Sequence, residues 1–148
     1  MVKFSENEAS KTEILEHLII CDSLFIPRLS SRVSLEAYAT KLNELATNYE
    51  AWENKKLIGL IAIYLSKENK KEIYISNVSI DPAYKRKGIA TKLFNLLLKN
   101  VSIDDFCILK LEVGKLNISA ITFYKKLGFI EESTNDSIIN MNLNLKSE

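Results

Sequence analysis

The sequence predicts a mixed α/β (α+β) fold, with one mostly antiparallel central sheet and helices on both of its faces. Three observations carry that expectation. First, the aliphatic, β-branched runs 57–65 and 72–80 are separated by the charged turn 67–71. The shorter run 49–52 precedes them across the polar turn 53–56, so the first half of the sheet is built from hairpins. Second, the apolar period changes after Ile80 from that of a strand to that of a helix and back again. A strand at 72–80, a helix from about Gly88 to Asn100 and a strand at 106–113 form a crossover, which is expected to be parallel and right-handed. Third, no linker, repeat or low-complexity tract interrupts the 148 residues, so one domain over 1–148 with a sizeable core is expected.

Taken in order, residues 1–6 form either a very short strand or a frayed end. Residues 9–20 place Ile14, Leu15, Leu18 and Ile19 at helical spacing, with Ser10 or Thr12 positioned as a cap. Segment 21–33 contains Pro27, several serines, Arg28 and Arg32. It reads as an ordered loop in which Leu24, Phe25 and Ile26 pack while the arginines stay accessible. Ser34 caps a second helix with Leu35, Tyr38, Leu42 and Leu45 along one face. The strands and the crossover helix follow, then a helix from about Ile118 to Leu127. Strands at 129–131 and 138–145 complete the sheet.

Composition narrows the function classes. Apolar residues make up 47% and charged residues 26%, an ordinary globular balance that argues against disorder. Twenty Lys and Arg oppose nineteen Asp and Glu for a net charge of +1, so nothing global favours nucleic acid, and anion binding has to be local. Cys21 and Cys107 each stand in apolar surroundings and read as reduced core residues, not a disulfide framework or a metal site. No run is long enough to span a membrane, and the first residues lack the apolar core of a signal peptide. A cytoplasmic protein is therefore expected.

The chemistry concentrates in residues 73–91. A β-branched strand ends at Asp81-Pro82, the basic turn Lys85-Arg86-Lys87-Gly88 follows, and an apolar helix begins at Ile89. A helix start offers unpaired N–H groups and the positive end of a dipole, which suits a phosphate or pyrophosphate. Gly88 and Ala90 leave clearance for a close approach, Thr91 adds a hydroxyl, and the basic side chains add charge. Nothing matches the G-x-x-x-x-G-K-S/T loop of nucleotide triphosphatases. One glycine between Lys85 and Ala90 is too few for a dinucleotide-binding G-x-G-x-x-G turn.

The segment Val78-Ser79-Ile80-Asp81-Pro82-x-Tyr84-Lys85-Arg86-Lys87-Gly88-Ile89-Ala90 resembles the coenzyme A-binding motif Q/R-x-x-G-x-G/A of the GCN5-related N-acetyltransferases (GNAT). Asn117-x-x-Ala120-x-x-Phe123-Tyr124-x-x-x-Gly128-Phe129 resembles the second block of that superfamily, and with the preceding hairpin the likeness covers roughly residues 49–131. Lys85 stands where the family prefers Arg or Gln, which keeps the charge but loses the planar fork. The resemblance implies a GNAT-like acyl-CoA N-acyltransferase fold and acetyl-CoA as co-substrate, without a metal. Strand 73–80 would splay from its neighbour, backbone groups around Val78, Ser79 and Ile80 would meet the pantetheine arm, and an N–H there would polarise the thioester carbonyl. Backbone N–H groups of Arg86, Lys87, Gly88, Ala90 and Thr91 would hold the pyrophosphate, with Lys85 and Ile89 in the same turn. Asn117 and Phe123 would contact the cofactor, and Tyr124 would give a proton to the departing thiolate.

The general base is Glu72, Glu112 or a water. His17, the one histidine, is expected at the surface or at a boundary. Arg28 and Arg32 suggest an acceptor bearing a carboxylate or phosphate, such as an amino acid or a nucleotide-linked amino sugar. The expected activity is transfer of an acetyl group to a primary amine of a small molecule by direct attack on the thioester, by a monomer or homodimer that engages neither nucleic acid nor membrane. The alternative is a member of the same fold that binds coenzyme A or a protein partner without turnover.

Overall fold

The structure, a computed structural model, describes residues 1–66, 72–101 and 108–145. Seven strands form one sheet in the order β1-β2-β3-β4-β5-β7-β6. They are β1 (Lys3–Glu6), β2 (Thr47–Glu53), β3 (Lys56–Leu65), β4 (Glu72–Ile80), β5 (Ile108–Gly114), β6 (Ile130–Thr134) and β7 (Ile138–Asn144). The helices are α1 (Lys11–Cys21), α2 (Leu35–Leu45), α3 (Ile89–Asn100) and α4 (Ile118–Leu127). Neighbouring strands pair antiparallel except β4 and β5, which run parallel on either side of the α3 crossover. The mixed, mostly antiparallel sheet matches the expectation from sequence. The turn 67–71, Cys107 and the start of the strand at 106–107 lie outside the described residues.

Local chemistry explains the elements. Asn54 and Lys55 both take positive φ (52° and 64°), the conformation that lets a two-residue turn follow the twist of the β2–β3 hairpin. Ser10 and Glu13 form a reciprocal capping box at the start of α1, and Ser34 accepts from the Ala37 N–H at the start of α2. Two apolar layers cover the sheet. On one face α1 and α2 pack Ile14, Leu18, Ala39 and Leu42 onto Leu57, Leu60 and Ala62. On the other, α3 and α4 pack Leu93, Phe94, Leu97 and Ile121 onto Ile61, Ile63, Leu109 and Leu111. Gly59 allows α3 to come close: a Cβ there would stand 3.1–3.2 Å from Ile80, Ile89 and Leu93, so the start of α3 is pressed onto the β3–β4 pair.

Two helix faces differ from expectation. The buried stripe of α1 is Ile14, His17, Leu18 and Cys21, whereas Ile19 is 58% exposed. His17 is 1% exposed, not a surface or boundary residue. The i, i+3, i+4, i+7 spacing runs through the histidine because its ring finds buried partners, described below. In α2, Leu45 falls at the margin of the stripe set by Leu35, Ala39 and Leu42 and is 68% exposed.

Candidate active site

The site begins with a break in the sheet. β4 and β5 pair only from Glu72↔Ile108 to Ile75↔Leu111. Directly after Ile75 the β3–β4 register slips: Ile63 partners Ile75 and Ala62 partners Asn77, leaving Ser76 as an extra residue. A bulge bends its strand and frees one set of backbone groups. Here the Tyr38 hydroxyl takes up the slack, donating to the Ser76 carbonyl at 3.1 Å and lying 2.6 Å from its Oγ. The bulge also resets which side chains face which layer. Ile73 and Ile75 belong to the α3–α4 layer, and so do Val78 and Ile80, while Ser79 turns toward α1. Beyond the last pair the strands part, and a cleft of about 1050 Å³ opens between them.

At one end of this cleft is the basic turn. Arg86 has φ 65° and Gly88, the N-cap of α3, has φ 74°, so the chain reverses sharply into the helix. No side chain caps α3. Its first backbone bond runs from the Lys92 N–H to the Gly88 carbonyl, so the N–H groups of Ile89, Ala90 and Thr91 precede the helical ladder and point out of its end. Three such donors on the positive end of a helix are chemically suited to a pyrophosphate.

Val78, Ser79, Ile80, Lys85, Arg86, Gly88, Ile89, Ala90, Thr91, Asn117, Phe123 and Tyr124 all line the cleft. Lys87 does not. Its ammonium sits 5.7 Å from the centre of the Tyr84 ring. Ser79 meets the cleft through its backbone, because its hydroxyl is buried beneath the sheet, donating to Asn77 Oδ1 at 2.7 Å and lying 2.9 Å from His17 Nε2. His17 Nδ1 lies 3.2 Å from the Leu57 carbonyl, and burial pushes the imidazole pKa down to about 4, so the ring is neutral. Cys21, 3.7 Å from the same ring, has its thiol pushed up to about 12, chiefly by burial. His17 therefore braces β4 from below and is not a base.

Asn117 accepts from the Ala120 N–H at 3.3 Å, which starts α4 beside the cleft. Tyr124 is 8% exposed and packs in a cluster of aromatic rings, its centroid 5.7 Å from Phe123 and Phe129 and 6.4 Å from Phe94. Among the described residues none hydrogen-bonds to its hydroxyl, and burial pushes the phenol pKa up. It is a protonated donor without a partner on the wall of the cleft.

The two carboxylates separate. Glu72 lies at the paired end of β4, 3.4 Å from Lys110, and does not line the cleft; Glu112 does. The two arginines separate as well. Arg28 faces Asp22 at 4.0 Å, whereas Arg32 lines the cleft. Sequence reasoning missed Tyr38, Tyr74 and Gly114. Gly114 ends β5, and a Cβ there would collide with the Ile26 carbonyl oxygen, so glycine allows the 22–33 loop to cross the mouth of the cleft.

Comparison with known proteins adds the relationship. A model of the acetyltransferase (GNAT) family matches residues 12–129. The [ribosomal protein bS18]-alanine N-acetyltransferase of Escherichia coli (strain K12) is 29% identical over 98 residues, covering 66% of this chain and 64% of that protein. The matched segments span 37% to 64% of the length of such curated relatives. The crystal structure of the ribosomal-protein-S18-alanine N-acetyltransferase from Escherichia coli superposes with a TM-score of 0.79 at 22% identity, over 100% of this chain and 96% of that one. The crystal structure of PaiA N-acetyltransferase from Thermoplasma acidophilum in complex with coenzyme A superposes with a TM-score of 0.73 at 16% identity, over 96% and 99% of the two chains.

Proposed function

The chain belongs to the acetyltransferase (GNAT) family, and on that premise we propose that it transfers the acetyl group of acetyl-CoA to a primary amine of a small molecule. The observation that carries this reading is the cleft between the parted strands. It runs from the uncapped start of α3 to Tyr124, whose hydroxyl has no hydrogen-bond partner among the described residues. Acetyl-CoA supplies the thioester and is held by its pyrophosphate on the N–H groups of 86–91, with Lys85 and Arg86 adding charge. Its pantetheine arm lies along Val78–Ile80, and a backbone N–H of that stretch polarises the thioester carbonyl. The arm reaches the aromatic wall at Phe123, with Asn117 alongside.

A neutral amine then attacks the carbonyl carbon. The C–N bond forms, the C–S bond breaks, and the thiolate takes the phenolic proton of Tyr124. A phenol of pKa near 10 or above keeps that proton at neutral pH, hydrogen-bonds to the charge developing on the sulfur as the C–S bond breaks, and passes the proton to the thiolate held within reach. The proton released by the amine passes to Glu112 or to water. Proximity of amine and thioester contributes most of the acceleration. The E. coli relative is named for a ribosomal protein acceptor. For this chain the proposed acceptor is a small amine, an amino acid or amino sugar derivative. The buried, free Cys21 accords with a reducing, cytoplasmic setting.

The test is release of free thiol from acetyl-CoA across a panel of amines, run beside thermal shifts with acetyl-CoA. Amine-dependent thiol release supports the enzyme. A thermal shift with no turnover of any amine overturns the enzyme and leaves a binder without activity, and the absence of both responses removes the coenzyme A site as well.

A further inference from the structure

The acceptor end of the cleft lies away from the basic turn. From Tyr74 to Ile80 is about 20 Å of strand, counted at ~3.3 Å per residue. Tyr74 partners Lys110 across the β4–β5 pair, and Glu112 is the next β5 residue on the same face, so Tyr74 and Glu112 are diagonal neighbours where the strands part. Arg32 comes down onto this place from the 22–33 loop, and all three residues line the cleft.

The charge inventory is small. Lys110 is taken up by Glu72 at 3.4 Å and Glu132 at 3.9 Å. Arg28 is engaged with Asp22. Among the described residues no carboxylate pairs with Arg32, and neither Glu112 nor the Tyr74 hydroxyl has a hydrogen-bonding or ionic partner. Glu112 raises the Tyr74 phenol pKa and Arg32 lowers it, beneath a larger effect of burial, so both charges act on the same hydroxyl.

We propose that the acceptor is an amino acid, its carboxylate seated on the Arg32 guanidinium and the Tyr74 hydroxyl and its reacting amine turned to Glu112. This deepens the acetyltransferase reading and rests on it. One planar guanidinium matches one carboxylate. A phosphate-linked sugar would bring two or more negative charges up to the Glu112 carboxylate. A plain alkylamine would leave Arg32 unpaired.

The experiment measures thiol release by the full chain with acetyl-CoA and matched acceptors. These are free amino acids including diamino acids, their methyl esters, and a short peptide with a free N-terminus and an amidated C-terminus. A charged hydrogen bond predicts that kcat/KM for the best free acid exceeds that of its ester by about ten- to a hundredfold. Arg32→Gln brings that ratio toward one by raising the acid's KM, and Arg32→Lys restores part of it. Equal turnover of acid and ester, an unchanged ratio in Arg32→Gln, or a preference for the amidated peptide overturns the proposal while leaving the acetyltransferase standing. A thermal shift with acetyl-CoA but no thiol release with any amine overturns both.

Discussion

Replacing Tyr124 with phenylalanine removes one oxygen and leaves the aromatic cluster intact, since the ring contacts to Phe94, Phe123 and Phe129 at 5.7–6.4 Å do not involve it. Among the described residues that hydroxyl has no hydrogen-bond partner, so its loss takes no internal hydrogen bond from them. The hydroxyl faces the cleft, so the melting midpoint of Tyr124→Phe stays close to that of the parent. Activity does not. A positioned general acid contributes about 10²–10⁴-fold, equivalent to ~3–5 kcal/mol of barrier, and kcat falls by that order while acetyl-CoA affinity holds. Free-thiol release gives kcat, calorimetry gives the affinity, and differential scanning gives the midpoint. If kcat stays within about threefold of the parent, or falls only in step with a lowered midpoint, Tyr124 is a packing residue and the proposed mechanism is wrong.

Three further outcomes follow from the same geometry. Gly88→Ala forces a Cβ into φ 74° but meets nothing within 4 Å, so the loss is conformational, about 1–2 kcal/mol, seen as a midpoint lower by a few degrees together with a raised KM for acetyl-CoA. Gly114→Ala drives a methyl into the Ile26 carbonyl, moves the 22–33 loop and raises the acceptor KM more than that of acetyl-CoA, as steady-state kinetics with each substrate varied will show. His17 has its pKa depressed from 6.5 to about 4 in the fold, so the unfolded chain binds the proton first on acidification. Its contribution is intact above pH 6.5 and fades as pH falls toward 4, by about 2 kcal/mol between pH 7 and pH 5. Denaturant titrations across that range should show the decline in the parent and a flatter profile in His17→Gln.

The order of elements was readable from the sequence because each strand and helix carries its own apolar period, and because Ser10 and Ser34 mark helix starts by their cap chemistry and Gly88 by its tight turn. Two stretches that contribute residues to the lining of the cleft were legible for the same reason: the turn at 85–91 and the block from Asn117 to Phe129 are continuous, with distinctive residues. The bulge at Ser76 left no such mark. A register slip depends on which residues of β3 face β4, and Ser76 is an unremarkable strand residue until Tyr38 reaches it from α2. His17 was misplaced because polarity outweighed spacing, although its position between Ile14 and Cys21 already put it on the buried stripe. The choice between Glu72 and Glu112, and between Arg28 and Arg32, rests on where β4 and β5 stop pairing, a tertiary fact without a local signal.

We propose that the parted strands and the uncapped start of α3 hold the acyl donor. Titrating isotopically labelled protein with acetyl-CoA and following the backbone amides tests it most directly. Saturable one-to-one binding is expected, with the largest shifts at the amides of 86–91 and a second set along 78–80. Absence of binding, or shifts that leave both stretches unmoved, would contradict it.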